Sequence, residues 1–183
     1  MKISLITPAG KQSKNGNRTT ALRWARLLRQ SGHLVRISTD YEGEATDVMI
    51  ALHARHSGAA VRRYREQMTQ GPLVVGLGGT DVNTFLQTER ALTLGSMDMA
   101  DALICLHDLI GPELPAPLRP KLHVVRQSAQ PLTQPRQPSK RHFDICVIGH
   151  LRAEKDPFRT ALAARLLPPT SRLRVHHLGG AHS

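Results

Sequence analysis

Short apolar runs alternate along the chain with stretches in which apolar residues recur at helical spacing. The runs predict six strands in the first part of the chain, at residues 2–7, 33–39, 47–53, 73–77, 102–106 and 122–125. Helices are predicted after the first strand, where Ala21, Trp24 and Leu28 share one apolar face, and over residues 59–68 and 88–99. Continuous apolar strands separated by helices are typical of a parallel sheet covered on both faces. The pattern therefore predicts an α/β fold with a Rossmann-like, doubly wound parallel sheet.

A proline-rich stretch near residue 130 separates a second unit from the first. Residues 130–142 contain three prolines and no strand pattern, which predicts an interdomain linker. Strands are then predicted at residues 143–148 and 173–178, with a helix between them that Asp156 caps. Two strands and one helix are too few to close a doubly wound domain. We therefore expect a complete Rossmann-like domain over residues 1–129 and the incomplete β-α-β opening of a second one over residues 143–183.

Several classes of protein are disfavoured by composition and spacing. The chain lacks the apolar run of roughly 18–20 residues that a membrane span requires, and Lys2 precedes a strand-like run rather than a secretory signal. Cys105 and Cys146 lie inside apolar runs, so we expect two reduced core thiols and a cytoplasmic protein. His53 and His56 lack a third ligand at a useful spacing, so no metal ion is predicted. No cofactor is predicted either, because the loop after the first strand lacks a strict GxGxxG.

Basic residues outnumber acidic ones, 25 to 14, and give a formal net charge of +11. The excess is concentrated in two runs without an acidic residue, at residues 11–36 and 114–143. Such clusters attract anions, either polymeric or small. Nucleic acid is disfavoured as the partner, because three Phe, two Tyr and one Trp are too few for a stacking platform and no zinc-finger spacing occurs. One alternative stays open for the function: a basic, non-catalytic α/β module that binds a polyanion. Another stays open for the net charge, which could reflect the overall composition alone and have no binding role.

Polar and charged residues follow three of the predicted strands at their carboxyl ends, the edge where open α/β sheets bind ligands. The candidate acceptor or anion site comprises Lys11, Lys14, Asn17, Arg18, Arg55 and Thr80. His53 and Asp81 at the same edge are the candidate catalytic residues, since an imidazole can act as a general base or bind an anion. Structural interpretations stay open for both: a capping or solvent-exposed role for the histidine, and a helix N-cap or turn for the aspartate.

A second polar loop, GHLRAEK, follows the strand predicted at residues 143–148 and precedes a helix. Backbone N–H groups at the start of a helix favour anions. Arg152 and Lys155 add a planar fork and a point charge, a combination that suits a diphosphate. An exposed polar loop with incidental charges is the alternative interpretation.

Three sequence segments resemble the GT-B glycosyltransferases of the family-4 type. VIGHLRAEKDP resembles the second-domain motif whose basic residues hold the diphosphate of a nucleotide sugar. GLGGTD resembles the G-T-D turn of the first domain, and GKQSKNGNRTTALRWARLLRQSGH resembles the acceptor-side loop and first helix. The family has two Rossmann-like domains that face each other across a cleft. The resemblance implies a UDP-sugar as donor substrate, with its diphosphate bound by Gly149, Arg152 and Lys155.

Within this family the chain is most similar to the selenosugar synthases of selenoneine biosynthesis. The similarity lies in ITPAG, NGNRTTALRWARLLRQSGH, ALHARHS, GTD and GHLRAEKDPFRTALAARLLP, which together extend along nearly the whole chain. The branch implies transfer of a sugar from a UDP-sugar to selenophosphate, with formation of a carbon–selenium bond. Selenophosphate is already anionic, so His53 and Asp81 would orient groups instead of removing a proton. An ordinary family-4 transferase with a sugar or lipid acceptor is the alternative.

Members of this family are longer than this chain. The remainder of their second domain carries the sugar and uridine pocket, with its acidic E-x7-E motif, and the sequence reaches Ser183 without that motif. We therefore expect a truncated chain with an incomplete donor site and little or no transferase activity alone. The exposed apolar face of an unfinished β-α-β unit is also expected to promote aggregation or dependence on a partner.

Overall fold

A computed structural model describes residues 1–135 and 137–181. Arg136, in the predicted linker, and His182 and Ser183, in the predicted second domain, lie outside the described residues. The chain divides into two units, Met1–Ser128 and Ala129–Ser183.

Strands and helices alternate through the first unit. Its strands are β1 (Lys2–Ile6), β2 (Leu34–Ser38), β3 (Val48–Leu52), β4 (Leu73–Gly76), β5 (Ala102–Cys105) and β6 (Leu122–Val124). Its helices are α1 (Gly16–Gln30), α2 (Gly58–Gln67), α3 (Leu86–Thr88) and α4 (Arg90–Met99). A π-helical turn covers Asp81–Phe85, and 3₁₀ turns cover Asp108–Glu113 and Ala116–Lys121.

The six strands form one parallel sheet in the order β2-β1-β3-β4-β5-β6. This confirms the predicted Rossmann-like α/β fold. The chain runs outward from β1 to β2 and then returns past β1 to β3, so the direction of winding reverses between β1 and β3. That reversal is the topological switch point, where open α/β sheets bind ligands.

Alternate residues of the strands enter two separate apolar cores, as the period of two in a strand requires. Ile3 and Leu5 of β1 pack with Ala21 of α1 in one core. Met49 of β3 packs in the other core with Val61 of α2 and further residues of α4. Because the central strands are buried on both faces, their sequences are almost continuously apolar, which explains why their positions could be predicted.

The second unit contains two parallel strands and one short helix among the described residues. They are β7 (Phe143–Ile148), a 3₁₀ turn at Ala153–Lys155, α5 (Arg159–Ala164) and β8 (Leu173–Leu178). Many of its large apolar side chains are open to solvent: Phe143 is 69% exposed, Ile148 80% and Leu166 87%. The apolar face expected for this unit is therefore present.

Two sequence predictions for the second unit are wrong. Asp156 does not cap α5: it adopts a left-handed backbone, with φ of 43°, at the end of the 3₁₀ turn, and the helix begins at Arg159. Its carboxylate binds the guanidinium of Arg159 instead of a backbone N–H. Cys146 is exposed, unlike Cys105, because two strands and one short helix do not cover both faces of the small sheet.

The helix predicted over residues 88–99 is interrupted. α3 ends at Thr88 and α4 begins at Arg90, and Glu89 between them has φ of −137° and ψ of 47°, outside helical geometry. The Glu89 carboxylate binds Arg55, which lies in the loop after β3. A long-range side-chain contact thus accompanies the break, and no periodicity in the sequence marks it.

Candidate functional site

The candidate anion site and both candidate catalytic residues lie at the carboxyl edge of the six-stranded sheet. Lys11, Lys14, Asn17 and Arg18 follow β1, His53 and Arg55 follow β3, and Thr80 and Asp81 follow β4. β1 and β3 flank the switch point, and β4 is the next strand in the sheet. The order of the strands therefore brings three loops that are distant in sequence to one edge.

The loop after β1 contains a helix cap and a partly buried guanidinium. Asn15 caps α1 by accepting a hydrogen bond from the Arg18 backbone N–H at 3.0 Å. Lys11 and Lys14 are exposed, whereas Asn17 and Arg18 are half-buried. Arg18 Nε is buried and has no hydrogen-bond partner among the described residues. Since a desolvated polar group without a partner is costly, this guanidinium favours the binding of an anion.

Asp81 is fully buried, and its carboxylate fixes the backbone of two loops. Oδ2 accepts hydrogen bonds from the backbone N–H groups of Ala54 and Gly78, at 2.9 and 2.8 Å. Oδ1 accepts one from the Arg55 backbone N–H at 2.8 Å and lies 2.8 Å from His53 Nδ1. These four contacts use the acceptor capacity of a carboxylate. Asp81 therefore has none left for a ligand.

His53 is also buried and has an unusual backbone conformation. Its φ of 73° lies in the left-handed region, which non-glycine residues seldom adopt. Such a conformation costs about 1–3 kcal/mol and is typical of functional sites, where surrounding contacts maintain it. Here the Asp81 carboxylate binds the two backbone N–H groups that follow His53. The imidazole Nε2 lies 2.8 Å from Thr80 Oγ1, so the structure brings the three residues together.

Two rings flank the imidazole of His53. Its ring centroid lies 4.3 Å from that of His56 and 5.7 Å from that of Phe85. Phe85 ends the π-helical turn that Asp81 begins, and π-helical turns are frequent at functional sites. Burial, followed by the neighbouring His53, lowers the pKa of His56 and so favours its neutral form.

Arg55 reaches the same edge with a partner that the sequence did not indicate. Its Nε donates to Glu89 Oε2 at 2.5 Å, and its NH2 contacts the same carboxylate oxygen. The positive charge of this candidate anion-binding residue is thus offset by Glu89. No local pattern reveals the contact, because it arises only when the fold places the loop after β3 beside the break between α3 and α4.

Gly149, Arg152 and Lys155 lie together after β7 in the second unit. A Cβ on Gly149 would lie 3.9 Å from Lys155 Cβ, and the Lys155 backbone N–H donates to Arg152 O at 3.0 Å. Arg152 NH1 lies 3.5 Å from Glu154, which offsets part of its charge. α5 begins later, at Arg159, so the expected helix start is replaced by a 3₁₀ turn of three residues.

Some basic residues of the two acid-free runs bind backbone carbonyls. Arg119 Nε donates to Leu114 O at 3.0 Å. Lys121 Nζ donates to the carbonyls of Asp98 and Ala100, at 2.8 Å each, and so satisfies groups at the end of α4. Part of the positive charge is therefore used to bind backbone carbonyls within the fold. This weakens the interpretation of the protein as a basic module that binds polyanions.

Comparison with known proteins adds no family assignment: no protein-family model and no curated protein matches the sequence. Within the described residues, no group of three or more His, Cys, Asp or Glu side chains is arranged to hold a metal ion. In the same part of the chain, no helix is long and apolar enough to cross a membrane. The functional assignment therefore depends on the geometry of the carboxyl edge and on the sequence segments that form it.

Proposed function

We propose that the protein is a glycosyltransferase that moves a sugar from a UDP-sugar to selenophosphate. The segments that resemble the selenosugar-forming branch include the loop after β1, ALHARHS after β3 and GTD after β4. These are the three loops that meet at the carboxyl edge of the sheet. The resemblance and the geometry thus support the same location for the acceptor.

The observation that carries the proposal is the partly buried guanidinium of Arg18 beside the switch point. Its Nε has no partner among the described residues, and Lys11 and Lys14 add positive charge in the same loop. A small, multiply charged anion would pair with all three groups, and a planar guanidinium suits the oxygens of a phosphate-type group. Selenophosphate is an anion of this class.

Transfer to selenophosphate requires no strong base from the protein. Selenium, the anionic nucleophile, forms a bond to the anomeric carbon of the sugar. The bond between that carbon and the β-phosphate oxygen of UDP breaks, and UDP leaves with the electron pair. No proton has to be removed from the nucleophile. Buried Asp81 and His53 suit this reaction as positioning residues.

The diphosphate of the donor is assigned to Gly149, Arg152 and Lys155. Their proximity after β7 supports the assignment, and the resemblance of VIGHLRAEKDP to the family motif supplies its specificity. Arg152→Ala is expected to weaken the binding of UDP itself, measured by calorimetry. Unchanged UDP affinity in this variant would remove the assignment without affecting the acceptor site.

Isothermal titration calorimetry of the full chain with selenophosphate tests the acceptor site. We expect saturable binding that Arg18→Ala weakens by about tenfold or more, because a hydrogen bond to a charged group contributes about 1.5–3 kcal/mol. Arg62→Ala removes an equal charge from an exposed position on α2 and is the matched control. Equal binding by the Arg18→Ala variant and the wild type, or no binding by the wild type, would overturn the acceptor site.

Product analysis tests the reaction. Mass spectrometry should detect a selenosugar only when a UDP-sugar and selenophosphate are both present. Products with sugar or lipid acceptors, and none with selenophosphate, would favour an ordinary family-4 transferase. A gel shift with nucleic acid that weakens steeply with salt would instead favour a polyanion-binding module.

A further inference from the structure

Thr80, His53 and Asp81 form a continuous chain of hydrogen-bonding groups from the edge of the sheet into the core. Thr80 Oγ1 lies 2.8 Å from His53 Nε2, and His53 Nδ1 lies 2.8 Å from Asp81 Oδ1. Thr80 is half-buried, whereas His53 is 4% exposed and Asp81 0%. Thr80 is therefore the member of the three that a ligand can reach.

The polarity of this chain follows from its buried end. A carboxylate only accepts hydrogen bonds, so the contact with Asp81 assigns His53 the imidazole tautomer with its proton on Nδ1. The His56 backbone N–H lies 3.3 Å from the same nitrogen, but the 2.8 Å contact with a charged acceptor is the stronger one. Nε2 then accepts, and the Thr80 hydroxyl donates its only proton to it. The tautomer is assigned from these partners.

We propose that Thr80 Oγ1 is a hydrogen-bond acceptor within an otherwise cationic site, and that it selects anions that carry a proton. The inference rests on the proposed acceptor site and defines its ligand class more narrowly. With its proton bound to His53, the Thr80 oxygen presents only lone pairs at the edge of the sheet. Such an oxygen accepts a hydrogen bond from the P–OH of a phosphate-type anion. The Thr80 oxygen disfavours a fully deprotonated anion, because the lone pairs of the anion's oxygen and of Thr80 Oγ1 would face each other with no proton between the two atoms.

Arg18 follows β1 and Thr80 follows β4, at the same edge of the sheet. β3 lies between β1 and β4, and neighbouring strands are about 4.8 Å apart, so the ends of β1 and β4 are about 10 Å apart. The cations then supply attraction and Thr80 supplies discrimination, and a P–OH held at Thr80 fixes the orientation in which selenium is presented.

Inorganic phosphate and sulfate are the direct probes, since phosphate keeps a proton near neutral pH and sulfate keeps none. Titration calorimetry of the full chain should show phosphate binding about tenfold more tightly than sulfate. Thr80→Val retains the shape of the side chain and removes the oxygen, so the ratio of the two dissociation constants should approach one. Thr80→Ser restores the oxygen and should retain the wild-type ratio.

An anion series on the wild type makes the test independent of how the variants fold. Arsenate, which keeps a proton, should bind like phosphate, and selenate should be rejected like sulfate. Equal affinity of the wild type for phosphate and sulfate, or an unchanged ratio in a folded Thr80→Val variant, would overturn the inference. Neither result removes the proposed acceptor site, because the anions would still bind. That site fails only if no anion binds or if Arg18→Ala has no effect.

Discussion

Gly78 leaves the space that the imidazole of His53 occupies: a Cβ at residue 78 would lie 2.9 Å from His53 Cδ2 and 3.5 Å from Asp81 Oδ2. The imidazole is held at both nitrogens, by Thr80 and by Asp81, so it cannot shift without losing a hydrogen bond. Gly78 does not have a left-handed backbone, unlike Gly32. Its role is therefore steric: it permits the histidine and the aspartate to meet.

Gly78→Ala should consequently lower stability by about 1–3 kcal/mol, the usual cost of overpacking a filled site. Urea denaturation followed by circular dichroism measures the effect. Gly79→Ala is the matched control, because the nearest neighbour of a Cβ there would be Asn83 Nδ2 at 4.0 Å. The control should change stability by less than about 0.5 kcal/mol. Equal stability of the two variants would contradict the steric role.

The sequence predicts the positions of strands accurately where a strand is buried on both faces of the sheet, because burial leaves a nearly continuous apolar run. The sequence predicts a strand over residues 73–77 and β4 covers Leu73–Gly76, because Leu73 and Val75 alternate into the core that contains α2 and α4. The described residues of the second unit form one short helix and two strands, which leave many apolar residues exposed, so an apolar residue there does not indicate burial. Cys146 illustrates this: it lies in an apolar run and is exposed.

The location of the candidate site could be predicted, but the roles of its residues could not. Parallel strands place all their carboxyl ends at one edge, which was sufficient to group His53 with Asp81. Two of the three backbone N–H groups bound by Asp81, those of Arg55 and Ala54, lie 26 and 27 positions away in the sequence. Only the folded chain shows that its oxygens are fully used. The pairing of Arg55 with Glu89, 34 positions away, was missed for the same reason.

Glu89→Gln should strengthen the binding of selenophosphate severalfold, because Arg55 would then lack a negative partner. The pair is partly exposed, 28% for Arg55 and 35% for Glu89, so its loss should cost no more than about 1 kcal/mol of stability. Titration calorimetry measures the affinity. Glu66→Gln gives the same change of net charge at an exposed position and is the control. An equal gain in both variants would indicate a general charge effect rather than the release of Arg55.

Lys121→Met should lower the free energy of unfolding by about 1 kcal/mol, since the ammonium that binds the carbonyls of Asp98 and Ala100 is lost while the aliphatic stem remains. Thermal denaturation provides the measurement. Arg126→Gln removes a charge of the same sign from an exposed position in the same acid-free run. The carbonyl contacts would be energetically unimportant if both variants melted at the wild-type temperature.

Asp144 on β7 should titrate well below an ordinary aspartate. Hydrogen bonds from the Arg174 guanidinium and the His176 imidazole, both on β8, lower the pKa of Asp144 from 3.8 to about 2. A lowered folded pKa means that the carboxylate stabilises the second unit above pH 3.8, and that this contribution is lost as the pH falls towards 2.

Arg174→Gln should therefore raise the Asp144 midpoint towards the ordinary value, and a titration of the carboxyl carbon by NMR measures it directly. The variant should also unfold at a higher pH on acidification, because less of the stabilisation survives below pH 3.8. Arg172→Gln is the control, since Arg172 donates to Lys140 O and not to Asp144. A midpoint that stays near 2 in Arg174→Gln would assign the shift to His176 alone. A midpoint near 3.8 in the wild type would mean that neither contact persists in solution.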